Sequence, residues 1–150
     1  LGDVDFDSVI IADFDEGLKS VTTSLLYTDI LPKEKYLITL NQWFDESLLK
    51  EVSLQPLYFP SINKKNYDDF SNKYFKTYKK YPNQLSFLSF DLVGLVYYLS
   101  LENNLVIDKK IFTKKNLFKG KVGIFEINKN KINHILNFYK VDGGEFKRVF

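Results

Sequence analysis

Short apolar runs and helically spaced apolar positions alternate along the first part of the chain. Residues 6–12 (FDSVIIA) form a continuous β-branched run, the composition of a strand covered on both faces of a parallel sheet. The segment after it predicts a helix with a single apolar stripe, formed by Leu18, Val21, Leu25 and Leu26. A second apolar run, YLITL at residues 36–40, completes a strand–helix–strand order that is typical of a right-handed βαβ unit.

Helical spacing and prolines divide the middle of the chain. Residues 44–52 predict a short helix, and residues 54–59 predict an extended piece that Pro56 keeps off the middle of a sheet. Residues 66–81 predict an amphipathic helix, which Pro82 ends.

The most apolar segment, residues 85–101 (LSFLSFDLVGLVYYLSL), predicts a helix buried on most of its sides. It is short and polar for a membrane span, which takes about 20 mainly apolar residues, so we expect no transmembrane segment. Three strand-like stretches end the chain, VGIFEI, HILNFYKV and EFKRVF, separated by the hairpin signals NKNK and DGG. The pattern predicts an α/β fold with a Rossmann-like parallel sheet flanked by helices and with C-terminal antiparallel strands.

Composition narrows the possible functions. Lys supplies all but one of the 21 basic residues, and it lacks the planar fork with which Arg reads phosphates and bases, so nucleic-acid binding is not expected. The chain has no Cys and one His, which excludes disulfides and Cys- or His-rich metal sites. We expect no metal and no cofactor.

The beginning of the chain lacks Met and a basic-then-apolar leader, and a strand follows almost at once. We therefore expect a fragment of a longer protein that does not include its signal or lipoprotein leader.

Three carboxylates, Asp13, Asp15 and Glu16, crowd the end of the first strand. Open α/β sheets bind ligands beyond the carboxyl ends of their strands, so the loop is a candidate site. The alternative is a helix cap, with Asp15 at the N-cap and Glu16 as a first-turn anion that the helix dipole favours. Acid/base catalysis needs groups on opposed sides of a substrate, and three acids on one loop do not provide them. We therefore expect that the protein is not an enzyme and has no catalytic residue.

Four segments follow one another in the order of a known family: VIIADFDEGLKSVTTSLLYTD, YLITLNQWFDESLL, YDDFSNKYFKTYKKYPNQLSFLSFDLVGLVYYL and FKGKVGIFEINKN. Through them the chain resembles the C-terminal part of type I periplasmic binding proteins, the leucine/isoleucine/valine-binding receptors of ABC transporters. Within that family it is most similar to the penicillin-binding protein activator branch.

The resemblance implies a two-lobed clamshell that closes on its ligand by hinge bending. Residues 1–57 would end the second lobe, and residues 58–61 would form the hinge crossover, with Tyr58, Phe59 and Pro60 as hinge residues. Residues 62–121 would return as helices to the first lobe, and residues 122–150 would form the C-terminal strands.

The resemblance also implies site residues at the ends of the two strands. In amino-acid-binding members a Glu just after the first strand takes the ligand's ammonium group, and Glu16 falls on that position. Asp13 either holds a second donor of the ligand or caps the strand end. Phe14 would form an apolar wall of the cleft. Trp43, beside Asn41, is either a core residue or part of the same rim.

Two further polar residues are interpreted without a role in ligand binding. Asp91 lies inside the buried helix, where an unpaired carboxylate would be costly, so we expect it to accept a hydrogen bond from a neighbouring loop. His134 lies in a late strand, and we expect it at the surface or beside a turn, with no role.

The resemblance implies an extracytoplasmic solute-binding protein in the periplasm or cell envelope, which delivers a small amino acid or related polar metabolite to an ABC permease. The alternative is an envelope lipoprotein of the same fold that binds no solute and activates a peptidoglycan synthase.

Overall fold

The computed structural model describes residues 5–40, 43–113, 115–129 and 131–150. They form two compact units, one of residues up to Ser61 with Asn137–Phe150 and one of Ile62–Leu136. In chain order the strands and α-helices are β1 (Ser8–Ile11), α1 (Asp15–Leu26), β2 (Tyr36–Thr39), β3 (Leu57–Ser61), α2 (Lys64–Tyr78), α3 (Gln84–Leu101), β4 (Asn116–Lys119), β5 (Ile124–Asn128), β6 (Lys131–Ile135), β7 (Asn137–Asp142) and β8 (Glu145–Arg148).

The first unit contains a five-stranded mixed sheet in the order β1-β2-β3-β7-β8. The predicted β1–α1–β2 succession is present, and β1 and β2 pair in parallel from Ser8↔Tyr36 to Ile11↔Thr39. β3 continues the parallel part, whereas β7 and β8 are antiparallel. Because β1 and β2 run in register, the segments that leave their carboxyl ends emerge side by side.

The expectation that Pro56 excludes its strand from the middle of a sheet was wrong. β3 begins one residue after Pro56 and lies between β2 and β7. Pro60 lies inside the strand, opposite Phe138 of β7. The main-chain N–H and carbonyl of Phe138 bond to Phe150 and Val149 instead of β3, and the pairing with β2 ends at Tyr58. The missing N–H of Pro60 therefore costs no ladder hydrogen bond.

Burial alternates along the strands of this sheet. Leu37, Leu57 and Val141 are fully buried, whereas Ile10 of the edge strand β1 is 65% exposed. The first strand is therefore not covered on both faces. On the buried face lies an aromatic cluster of Phe44, Phe59, Tyr139 and Phe146, with ring centroids 5.0 to 5.9 Å apart.

The helical segments of this unit depart from their predicted patterns. In α1 the buried positions are Leu18 and Thr22, while Val21 is exposed. The Thr22 hydroxyl donates to the Leu18 carbonyl at 2.7 Å, which allows it to be buried. The predicted helix at 44–52 is instead two 3-10 helices, Glu46–Lys50 and Val52–Leu54.

The second unit begins with two α-helices, both capped by asparagine. Asn63 accepts a hydrogen bond from Asn66 N, and Asn83 accepts one from Ser86 N, so each side chain satisfies a free donor at its helix start. Both predicted helices are present in α2 and α3.

The expected burial of α3 on most of its sides was wrong. Within this unit one stripe of the helix is buried, formed by Phe87, Asp91, Leu95, Leu99 and Ser100. Among the described helices, α3 alone is long and apolar enough to cross a membrane by length and composition, with 28% of that window buried. A buried helix of a protein core passes the same test, so this property by itself is weak support for a span.

The remaining strands of the second unit form a three-stranded antiparallel sheet in the order β4-β5-β6. A core of Leu95, Leu99, Ile111 and Ile127 lies beside it, with Phe112 and Phe118 packed against that core. The segment HILNFYKV was predicted as one strand, but it contributes to both units. Its first residues belong to β6, and the residues after Leu136 form β7 in the other sheet.

Both predicted C-terminal hairpins are confirmed. β5 and β6 pair up to Asn128↔Lys131, and β7 and β8 pair up to Asp142↔Glu145. Gly143 and Gly144 have φ of 64° and 75°, a conformation that glycine adopts without strain.

Candidate functional site

The acidic loop lies at the carboxyl end of β1, next to the end of β2. Leu40 N donates to the Ile11 carbonyl at 3.2 Å, and the hydroxyl of buried Thr39 donates to the Asp13 carbonyl at 3.2 Å. These bonds tie the loop to the neighbouring strand. Asn41, which sequence reasoning placed in the site, lies outside the described residues.

Asp13 is half-buried and turned toward its own helix. Its Oδ1 accepts a hydrogen bond from Phe14 N at 2.8 Å. A Cβ added to Gly17 would stand 2.6 Å from Oδ1, so the carboxylate lies over the first turn of α1. That position is favourable because the N-terminal end of a helix attracts negative charge. These contacts favour the second interpretation of Asp13, in which its carboxylate caps the end of β1.

The expectation that Asp15 caps α1 was wrong. The N-cap position is Phe14, without a side-chain hydrogen bond, and Asp15 is the first helical residue. Asp15 has φ of 49°, so the chain turns sharply there, and its side chain is exposed. An N-cap residue needs an extended backbone from which its side chain can reach back to a free N–H, and Asp15 does not have it.

Glu16 projects into solvent but has a partner. Its Oε1 lies 2.9 Å from Lys19 Nζ, and the exposed fractions of the two side chains are 88% and 18%. The hydrogen bond that Lys19 Nζ donates to Glu16 is the main cause that raises the pKa of Lys19. Partial burial opposes it, and the nearby carboxylates of Asp45 and Glu51 add to it. Sequence reasoning missed Lys19, although the Glu-x-x-Lys spacing on a helix was a signal for the pair.

The aromatic candidates Phe14 and Trp43 follow the ends of β1 and β2. Phe14 is 65% exposed at the tip of the loop, which leaves its ring available as an apolar wall. Trp43 is half-buried after β2, and its carbonyl accepts a hydrogen bond from Asp45 N at 3.0 Å. The charge of Asp45 also contributes to the raised pKa of Lys19 in α1.

The three predicted hinge residues lie inside β3. Tyr58, Phe59 and Pro60 pair with β7, and Phe59 is buried in the aromatic cluster. The chain passes to the second unit after Ser61 and returns after Leu136.

Asp91 is held by a loop, as expected. Its carboxylate is 3% exposed and accepts three main-chain hydrogen bonds, from Lys121 N at 2.8 Å, Val122 N at 2.9 Å and Gly123 N at 2.8 Å. A Cβ on Gly120 would overlap the carboxylate, so that glycine permits the close approach. Three charge-assisted bonds compensate for the burial, and the role is structural.

The expected surface position of His134 holds only in part, because the side chain is half-buried. Its ring stacks on Phe125 with centroids 4.4 Å apart, and Nε2 is buried without a hydrogen-bond partner among the described residues. Burial lowers the pKa of His134, and the charge of Asp91 opposes that effect. His134 is partly buried because the pairing of β6 with β5 places it opposite Phe125, on the face of the sheet that carries Phe118.

The lowered pKa of His134 predicts that the second unit loses stability in mild acid. Below the ordinary value of 6.5 the unfolded chain binds the proton more readily than the folded one, so the free energy of unfolding falls as pH falls. The loss is at most about 1.4 kcal/mol per pH unit. Denaturant titrations at pH 7.5 and 5.5, followed by the Gly123 amide NMR signal, measure it. His134→Phe keeps a ring on Phe125 but cannot titrate, and an equal acid loss in that variant would contradict the explanation.

The two units, with parallel strands, flanking helices and antiparallel additions, define a mixed α/β fold whose sheet carries an acidic loop at its carboxyl edge. No protein-family model and no curated protein matches the chain. Among solved structures, an extracellular ligand binding receptor from Desulfohalobium retbaense superposes on 95% of the chain with a TM-score of 0.66 and 15% sequence identity. The predicted α/β fold, with a parallel sheet, helices and C-terminal antiparallel strands, is confirmed, and the chain shares it with that receptor over the superposed residues. The chain spans 26% of that receptor's length.

Proposed function

We propose that this chain is part of an extracytoplasmic solute-binding protein and supplies one edge of a cleft between two lobes. The observation that carries the proposal is the superposition of nearly the whole chain on a ligand-binding receptor. The acidic loop supports it, because ligands of open α/β sheets bind beyond the carboxyl ends of parallel strands.

In this proposal residues 1–57 end the second lobe, residues 58–61 form a crossover, residues 62–121 return to the first lobe, and residues 122–150 supply the last strands. The boundary after Ser61 supports the crossover. The chain crosses between the two units a second time at Leu136 and Asn137. This second crossover falls inside the proposed C-terminal strands.

The proposed ligand is a small amino acid or a related polar metabolite, delivered to an ABC permease. Glu16 would accept hydrogen bonds from its ammonium group, and Phe14 or Trp43 would contact its apolar part. Closure of the cleft would strengthen the ionic contact, since charge-assisted hydrogen bonds gain strength away from water.

Glu16→Gln in the intact two-lobed protein tests this role. We expect the affinity for an amino acid to fall about tenfold or more, because the amide offers no charge to the ammonium group. Calorimetry with each of the twenty amino acids measures the change. Asp15→Asn is the matched control, since it removes an exposed charge from the same loop and Asn tolerates the positive φ. Equal affinities for wild type and Glu16→Gln would exclude Glu16 from the site.

The Glu16–Lys19 pair favours a second candidate, because a carboxylate that already has an ammonium partner has less need of a ligand. In that case a protein of the same fold binds no solute. It docks on a peptidoglycan synthase in the envelope and activates that enzyme. A thermal-shift screen separates the candidates. A receptor gains stability with its ligand by mass action, whereas a docking protein responds to no amino acid.

A further inference from the structure

The two side chains of the Glu16–Lys19 ion pair differ in their exposure to solvent. Only 18% of the Lys19 side chain is exposed, against 88% for Glu16. The stem of Lys19 packs against the protein, while the Glu16 carboxylate keeps most of its surface open to solvent. A molecule that approaches Glu16 from solvent therefore meets an open carboxylate whose inner side is occupied by a lysine.

Lys19 has other carboxylates within range. Asp45 and Glu51 both act on its ammonium group, in addition to Glu16. Asp45 already accepts a hydrogen bond from Ser47 N at 2.9 Å, which fixes it at the start of the first 3-10 helix. Glu51 precedes the second 3-10 helix, which contacts α1, so Lys19 can leave Glu16 and still lie near negative charge.

We propose that Lys19 is an internal counter-ion that takes the place of the ligand's ammonium group on Glu16 and shifts toward Asp45 and Glu51 when the ligand binds. The inference rests on the proposed function, in which Glu16 binds that ammonium group. Two ammonium groups on one carboxylate repel each other, so ligand binding has to weaken the Lys19 contact. The pair is open to water on its Glu16 side, and an ion pair in contact with water is weak enough for such an exchange.

The consequence is that Lys19 sets the affinity for ammonium-bearing ligands. It lowers their affinity, because each binding event replaces an existing contact. It also keeps the empty site free of other cations, since the vacant carboxylate is already neutralised. A ligand without an ammonium group gains nothing from displacing it.

Lys19→Met tests the proposal in the intact protein, because Met keeps the buried stem and removes the charge. We expect the affinity for the bound amino acid to rise about two- to fivefold, the range that corresponds to the loss of an exposed ion pair. The affinity for the N-acetylated form of that amino acid should not rise. Lys50→Met is the control, since it removes an exposed positive charge from the same unit without a contact to Glu16.

The double variant Glu16→Gln/Lys19→Met separates this inference from the proposed function. If Lys19 acts through Glu16, its substitution has no effect once Glu16 is gone. An affinity that falls in Glu16→Gln but is unchanged or lower in Lys19→Met would retain the site and overturn the counter-ion role. If no amino acid binds, or Glu16→Gln changes nothing, the proposed function fails and the inference fails with it.

Discussion

Asp91→Asn is expected to lower the free energy of unfolding of the second unit by about 3 kcal/mol or more. The carboxylate accepts three main-chain N–H groups and is almost fully buried. A hydrogen bond to a charged group contributes about 1.5 to 3 kcal/mol, and a buried donor that loses its acceptor is costly. An amide offers one acceptor oxygen and turns its own NH₂ donors toward the loop. Hydrogen exchange at the amides of residues 121–123 measures the loss.

Asp69→Asn is the matched control for Asp91, because it makes the same chemical change at an exposed position of α2. It should cost little, since nothing buried depends on it. Gly120→Ala should resemble Asp91→Asn, because a Cβ there overlaps the carboxylate. Equal protection of the loop amides in wild type and Asp91→Asn would show that the three hydrogen bonds contribute little.

Phe59→Ala is expected to destabilise the first unit by about 3 to 5 kcal/mol, the usual cost of removing a buried aromatic side chain. Its ring contacts Phe44, Tyr139 and Phe146, and it is 1% exposed. Denaturant unfolding followed by the fluorescence of Trp43, the only Trp of the chain, reports on this unit.

Phe59→Leu is the control, because it keeps most of the apolar volume and should cost clearly less than Ala. The comparison also bears on the proposed hinge. A residue that acts as a hinge would change ligand closure in the intact protein at nearly unchanged stability. A large loss of stability in Phe59→Ala, graded by side-chain volume, would instead identify Phe59 as a core residue.

Local patterns predicted the elements that depend on local sequence. The β-branched run before Asp13, the amphipathic spacing of α2 and the glycine turn of the last hairpin each determine their own conformation. The acidic loop could also be placed from sequence, because it follows directly from the strand end.

The remaining features depend on distant partners. Pro60 is tolerated in a central strand because Phe138 bonds in the other direction, a fact set by residues far along the chain. The burial of His134 depends on its register with Phe125. The division of HILNFYKV between two sheets falls at Leu136 and Asn137, where a single Asn without Gly or Pro did not separate the two strands.

The site residues also divide into those set by local sequence and those set by distant partners. Asp13 and Phe14 could be placed from the strand end, whereas the role of Glu16 depends on how deeply Lys19 is buried and on the carboxylates of a later segment. Sequence spacing predicts that Glu16 and Lys19 can meet, but the packing of α1 determines which of the two remains open to solvent.

The pairing of Ser61 with Asn137 has a consequence for the architecture. These residues face each other at the end of the antiparallel β3–β7 ladder, and all of the second unit lies between them in sequence. In topological terms, the second unit is an insertion at the tip of a β-hairpin. Loop-closure entropy grows only slowly with loop length, so a whole folded unit in place of a two-residue turn adds a modest cost to forming the ladder. We therefore expect that exchange or enlargement of that unit leaves the register of the first sheet intact.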